Sequence, residues 1–258
     1  MITVGIDVGS ISTKAALLDD EKFYYLLKPT GWSPRQAGLD CFTELLARGG
    51  YERQQVDFVV ATGYGRITQP FASKVVTEIT CHARGANHLV SDASLVIDIG
   101  GQDSKVIRVD GQGRVLDFVM NDKCAAGTGR FLQVMGAALG VEVSELSELA
   151  RGRSPVTLNS MCAVFAESEV IGLLAAGREK GEIVAGLFQS ISRRIASMAQ
   201  RLAVPQKVVF TGGVALNEGM RERLQRELGA EVVAPVDCQY AGAIGAAILA
   251  RDFLSRKN

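Results

Sequence analysis

GIDVGSISTK, residues 5–14, starts inside an apolar, β-branched run and ends on a lysine, with Asp7, Gly9, Ser10, Ser12 and Thr13 between. The run ITVGIDVG reads as a buried strand entering a turn, and KAALLDD after it reads as the partner strand. Such a turn can hold phosphate. Gly9 lets the backbone approach an anion, consecutive amides donate, and Ser10, Ser12, Thr13 and Lys14 add hydroxyls and a cation. Asp7 at the strand end would face Mg²⁺, directly or through water. One turn of this kind is weak evidence alone, because many hairpins carry Asp-Gly chemistry.

The design returns at residues 96–105, VIDIGGQDSK, which again gives a strand, an Asp, glycines, polar residues and a lysine before a second strand, VIRV. It is a duplication of pattern rather than of identity. Asp98 takes the place of Asp7, and Gly100 and Gly101 offer their amides. Gln102 is the candidate to orient an attacking water, since a neutral amide positions without needing deprotonation. Asp103 and Lys105 read equally well as site groups or as a turn-former and a solvated strand residue. A third glycine turn, FTGGVALNEGM at 210–220, follows a strand and opens a helix at Asn217. Gly212 and Gly213 there would let an adenosine lie flat on the backbone; the alternative is a plain strand-to-helix turn. In AGAIGAA, residues 241–247, Gly242 and Gly245 permit close helix packing.

Between these turns the chain alternates strands and helices. Helices are expected near Leu39–Arg48, 128–139, 163–176, 181–202 and 217–228, and strands at VDFVVATG, KVVFTGG and AEVVAP. The helix at 181–202 carries an apolar set at Ile183, Leu187, Ile191, Ile195, Met198 and Leu202. With 258 residues, 47% of them hydrophobic, the chain can build one large or two modest cores. Lys+Arg and Asp+Glu balance at 28 each, so no overall field favours nucleic acid or an anionic membrane. No stretch has the length of a membrane span and the N-terminus lacks the pattern of a signal peptide. Five scattered cysteines do not form a secreted disulfide framework, and the cytoplasm is the expected compartment.

Two of those cysteines stand in similar settings, each just ahead of an expected helix: Cys124 in NDKCAAGTGRFL (121–132) and Cys162 in LNSMCAVFAESEV (158–170). Cys41, Cys81 and Cys238 read as small buried apolar residues. Glu167 and Glu169, past Cys162, read as an exposed helix face. His82 and His88, in a polar stretch with no metal-ligand pattern, receive no role.

The order of phosphate turn, second phosphate turn, paired-glycine turn and small-residue terminal helix resembles the actin, hexokinase and sugar-kinase superfamily over almost the whole chain. The resemblance implies an α/β, duplicated ribonuclease H-like, two-lobed fold hinged around ATP. The first lobe would span 1–90 and the second 91–258, with a boundary near 88–94 and the C-terminal helix crossing back to the first. The chain ends soon after that helix, so no appended domain is expected. Within the superfamily, NDKCAAGTGRFL and SMCAVFAESEV closely resemble the activators of 2-hydroxyacyl-CoA dehydratases, the BadF/BadG/BcrA/BcrD ATPase family.

That resemblance implies a homodimeric, ATP-driven one-electron donor with one [4Fe–4S] cluster between its subunits, an acceptor that is a dehydratase or related reductase, and a ferredoxin or flavodoxin as donor. A cubane cluster takes about four thiolates, and a two-fold axis would double Cys124 and Cys162 into such a set. ATP/ADP and Mg²⁺ are the other expected cofactors. The rival function is a small-molecule kinase, for a sugar or an acid, which needs no iron.

Overall fold

A computed structural model describes residues 1–159 and 162–256, so Ser160 and Met161 of the second cysteine motif lie outside the described residues. The chain divides into two compact units. One comprises Met1–Val96, Arg108–Leu116 and Pro235–Asn258, the other Ile97–Ile107 and Asp117–Ala234. The division runs through a strand at Val96 and Ile97.

The first sheet holds β1 (Ile2–Val8), β2 (Ser12–Asp19), β3 (Lys22–Pro29), β4 (Phe58–Thr62) and β5 (Lys74–Val75), in the order β3-β2-β1-β4-β5. β1 is antiparallel to β2 and parallel to β4, in a register that sets Asp7 opposite Lys14 on one side and Thr62 on the other. Both faces of β1 are covered, which is why it reads as a continuous apolar run. Its alternation sends Val4, Ile6 and Val8 to the face packed by α1 (Pro34–Gly49), against Cys41, Phe42, Leu45 and Leu46. Ser33 caps α1 by accepting a hydrogen bond from Gln36 N, and Gly50 ends it in the left-handed region.

The opposite face belongs to α8 (Ala241–Ser255) and α2 (Glu78–Leu89). Gly5 has to be glycine because a Cβ there would collide with Ala243 O of α8. α2 and α8 approach backbone to backbone: a Cβ on Gly85 would run into Ala241 O, and one on Gly245 into Cys81 O. α2 replaces the polar, unassigned stretch expected around the two histidines. His82 is buried on it, and His88 packs its ring on Phe23 at 5.2 Å.

The second sheet contains β6 (Leu95–Ile99), β7 (Ser104–Val109), β8 (Val115–Asn121), β9 (Lys207–Thr211) and β10 (Glu231–Val233), in the order β10-β9-β6-β7-β8. Taken from its other end this is the order of the first sheet, so the duplication seen as a turn pattern extends to whole-sheet topology. The helices of this half are α3 (Gly129–Leu139), α4 (Leu146–Ala150), α5 (Ala163–Ala175), α6 (Lys180–Gln200) and α7 (Glu218–Leu228). α6 buries Ile183, Leu187, Ile191 and Ile195, as its spacing predicts. No helix of the described residues is long and apolar enough to cross a membrane.

Candidate nucleotide and thiol sites

The two strand-turn-strand units, candidates for holding phosphate, are built alike. In the first, Gly9 N donates to Ser12 O at 3.2 Å; in the second, Gly100 N donates to Asp103 O at 3.0 Å. Both glycines sit where a Cβ would crowd the turn, 2.8 Å from Ser12 O and 2.7 Å from Asp103 Oδ1. Lys14 Nζ stands 3.7 Å from Asp7 Oδ2, and Lys105 Nζ stands 3.4 Å from Asp98 Oδ2. Each aspartate is thus met by a lysine seven positions on, a spacing set by the strand-turn-strand register.

The other carboxylate oxygens also match. Gly63, with φ +85°, would place a Cβ 2.5 Å from Asp7 Oδ1, and Gly212, with φ +89°, would place one 2.8 Å from Asp98 Oδ1. Thr211 Oγ1 donates to Asp98 Oδ1 at 3.0 Å. Thr62 and Thr211, each followed by glycine, were not among the sequence candidates. Their signal was the recurrence of Thr-Gly after the fourth strand of each sheet.

Several candidate side chains divide by burial. Ser10 and Ser12 remain partly exposed, and Gln102 is exposed at the tip of the second turn. Thr13 is buried, with its hydroxyl 2.9 Å from Thr30 Oγ1, while Thr30 Oγ1 donates to Gly9 O at 2.7 Å. Thr13 therefore braces the turn from beneath. Lys105 is no solvated strand residue: its side chain keeps 1% exposure, and Asp103 Oδ2 lies 2.7 Å from its ammonium. Asp98 and Asp103 together neutralise a cation that burial alone would disfavour.

At the third turn, Asn217 caps α7 by accepting from Met220 N at 2.9 Å, and Ser147 Oγ lies 2.6 Å from Asn217 Oδ1. Ser147 also lines a cavity of about 200 Å³ with Arg151, Arg153, Gly219 and Arg223.

The cysteines separate into two classes. Cys41, Cys81 and Cys238 are buried, and burial pushes the Cys41 and Cys81 thiols up to about 12. Cys124 is half-buried and Cys162 exposed, the latter as N-cap residue of α5. Asn121 Nδ2 donates to Cys124 O at 2.9 Å and to Ala126 O at 3.3 Å, and Arg194 Nη2 holds Asn121 Oδ1 at 3.2 Å. This loop then runs into α3, whose first amides bond back to the second turn: Gly129 N to Gly100 O and Arg130 N to Gly101 O, both at 2.8 Å. Beside Cys162, Val164 and Phe165 are both 68% exposed. Glu167 is exposed as expected, and Glu169 Oε1 accepts from Asn159 N at 2.9 Å. No group of three or more His, Cys, Asp or Glu placed to hold a metal ion occurs among the described residues.

Residues 4–250 match the model of the BadF/BadG/BcrA/BcrD ATPase family. The chain is 43% identical over 251 residues to the (R)-2-hydroxyglutaryl-CoA dehydratase activating ATPase of Acidaminococcus fermentans, covering 96% of each. The crystal structure of component A of that organism's dehydratase superposes with a TM-score of 0.94 at 42% identity, covering 99% of both chains. The activator of the 2-hydroxyisocaproyl-CoA dehydratase from Clostridium difficile, with bound ADPNP, superposes at 0.91 and 40% identity, covering 100% of this chain and 97% of that one. A ROK family glucokinase from Streptomyces griseus, at 17% identity and a TM-score of 0.55, shares the fold.

Proposed function

This chain belongs to the BadF/BadG/BcrA/BcrD ATPase family, and we propose that it is the ATP-dependent one-electron donor to a 2-hydroxyacyl-CoA dehydratase or related cluster-bearing reductase. Two copies form a homodimer around one [4Fe–4S] cluster, held by Cys124 and Cys162 of each. The observation that carries this reading is the pair of hydrogen bonds from Gly129 N and Arg130 N to Gly100 O and Gly101 O. They attach the segment that carries Cys124 to the turn that receives phosphate.

Both turns serve ATP. Gly9, Ser10, Ser12 and Lys14 cradle phosphate oxygens on the first, with Thr13 fixing its shape, and Gly100 and Gly101 offer amides on the second. Asp7 and Asp98 orient water on Mg²⁺, and exposed Gln102 positions the attacking water. Gly212 and Gly213 let adenosine approach the backbone, and the cavity that Ser147 and Gly219 line with Arg151 and Arg223 is the candidate to receive the base. The turns suit an anion because Gly9, Gly100 and Gly212 stand where a Cβ would crowd the turn backbone or the aspartate beside it.

The thiols fit the cluster because they are the accessible two of the five, and Val164 and Phe165 beside Cys162 make an apolar surface for a second copy to cover. When bound, the cluster supplies a one-electron carrier, loaded by a reduced ferredoxin or flavodoxin and discharged to the acceptor. Movement of Gly100–Gly101 with nucleotide state shifts α3 and the Cys124 loop, and paired copies convert that shift into a change at their shared axis. The free cysteines accord with the cytoplasm.

The test is anaerobic reduction of a dehydratase by the purified protein with a reduced flavodoxin. Electron transfer that depends on MgATP supports the reading. An iron-free protein that phosphorylates a sugar or an acid would replace it with the kinase function.

A further inference from the structure

His82 is 5% exposed on α2, and the machinery above leaves it without a task. Asp7 and Gly5 share one face of β1, the face on which α8 lies. Gly242, in the first turn of α8, marks where imidazole and carboxylate converge: a Cβ there would stand 2.9 Å from His82 Nε2 and 3.0 Å from Asp7 Oδ2. Gly242 thus serves the site rather than helix packing alone. Lys14 Nζ lies 3.7 Å from the same Oδ2, and the space at Oδ1 is bounded by Gly63.

We propose that His82 is a positioning residue for Asp7. With the imidazole on the Gly242 side of Asp7 and the Lys14 ammonium 3.7 Å from Oδ2, the carboxylate has little room to rotate about its Cβ–Cγ bond. The group then presents one fixed face to the hydrated Mg²⁺ of the nucleotide, and Gly242 keeps Cβ out of the space the two side chains need. Asp98 is held differently, with buried Lys105 on one carboxylate oxygen and the Thr211 hydroxyl on the other. The first turn needs an outside residue because its own lysine stands farther off and is more exposed. The proposal rests on Asp7 serving Mg²⁺, so Asp7 is tested beside it.

The experiment measures ADP affinity of the full-length protein by calorimetry, with Mg²⁺ and with EDTA, for wild type, Asp7→Asn, His82→Ala and His82→Asn. Asn keeps a polar group at this position without the imidazole's bulk. The proposal expects the Mg²⁺-dependent gain in affinity to fall about tenfold in His82→Ala, with affinity in EDTA unchanged, and to recover in part in His82→Asn; tenfold corresponds to about 1.4 kcal/mol. If Asp7→Asn loses the gain while both His82 variants keep it, the role of His82 is overturned and that of Asp7 stands. If Asp7→Asn keeps the gain, both fall. Equal loss of affinity with and without Mg²⁺ in the His82 variants would reduce His82 to a core residue and also overturn the proposal. Should His82→Ala fail to fold, His82→Asn and His82→Gln decide by the same ratio.

Discussion

Lys105 Nζ lies 3.4 Å from Asp98 Oδ2, with 1% and 2% of the two side chains exposed, and it repeats inside one unit what Lys14 and Asp7 do in the other at 3.7 Å. A buried ion pair is costly to break by halves, because the surviving charge stays buried without its partner. Lys105→Met should therefore destabilise the protein by about 3–5 kcal/mol, read as a lower denaturant midpoint at unchanged slope. Lys14→Met, at a longer contact and with 14% exposure, should cost less stability and raise KM for ATP more. Equal stability losses in the two variants would contradict this difference.

Gln102 is the exposed polar side chain at the tip of the second turn. Gln102→Ala should lower kcat for ATP hydrolysis roughly 10²-fold, the scale of losing one positioned polar group, with ADP affinity kept. A loss of ADP affinity without a loss of kcat would make Gln102 a binding group instead.

Close packing of α2 on α8 depends on two glycines whose missing Cβ atoms face backbone carbonyls. Backbone cannot step aside as a flexible side chain can. Gly245→Ala should cost at least about 1–3 kcal/mol, the ordinary penalty of overpacking, measured as a fall in Tm. A variant as stable as wild type would show that the helices separate freely.

The thiols should sort by reactivity. With iron removed, Cys124 and Cys162 should react with an aromatic disulfide at mildly alkaline pH, while Cys41 and Cys81 stay silent until the chain unfolds. The folded chain holds the protons of Cys41 and Cys81 up to about 12, against an ordinary value of 9.0. Between those values the unfolded state carries fewer protons, so this contribution to stability is complete below pH 9 and is lost as pH rises towards 12. Melting temperatures across that window should fall, and Cys81→Ala should flatten the fall.

The strand-turn-strand form of the two candidate turns was legible in the sequence because it is local: Asp, glycines and lysine occur within ten residues, and strand register does the rest. The helices at α3, α5, α6 and α7 were legible from periodicity and from turns. The burial of Lys105 was not, since a lysine on a strand reads as solvated until its two carboxylates are seen around it. α2 was missed because EITCHARGANHL looks polar, and what makes it a core helix is the fit of Gly85 and Cys81 against a helix more than 150 residues later. The same distance hid His82 from Asp7.

Dimerisation around a cluster is the centre of the account, and iron decides it. The full chain, purified without air and reconstituted with iron and sulfide, should be brown. It should carry one [4Fe–4S] cluster per two chains by iron and sulfide analysis, and lose the cluster in both Cys124→Ser and Cys162→Ser. A wild-type chain that binds no iron, or serine variants that keep as much iron as wild type, would contradict it.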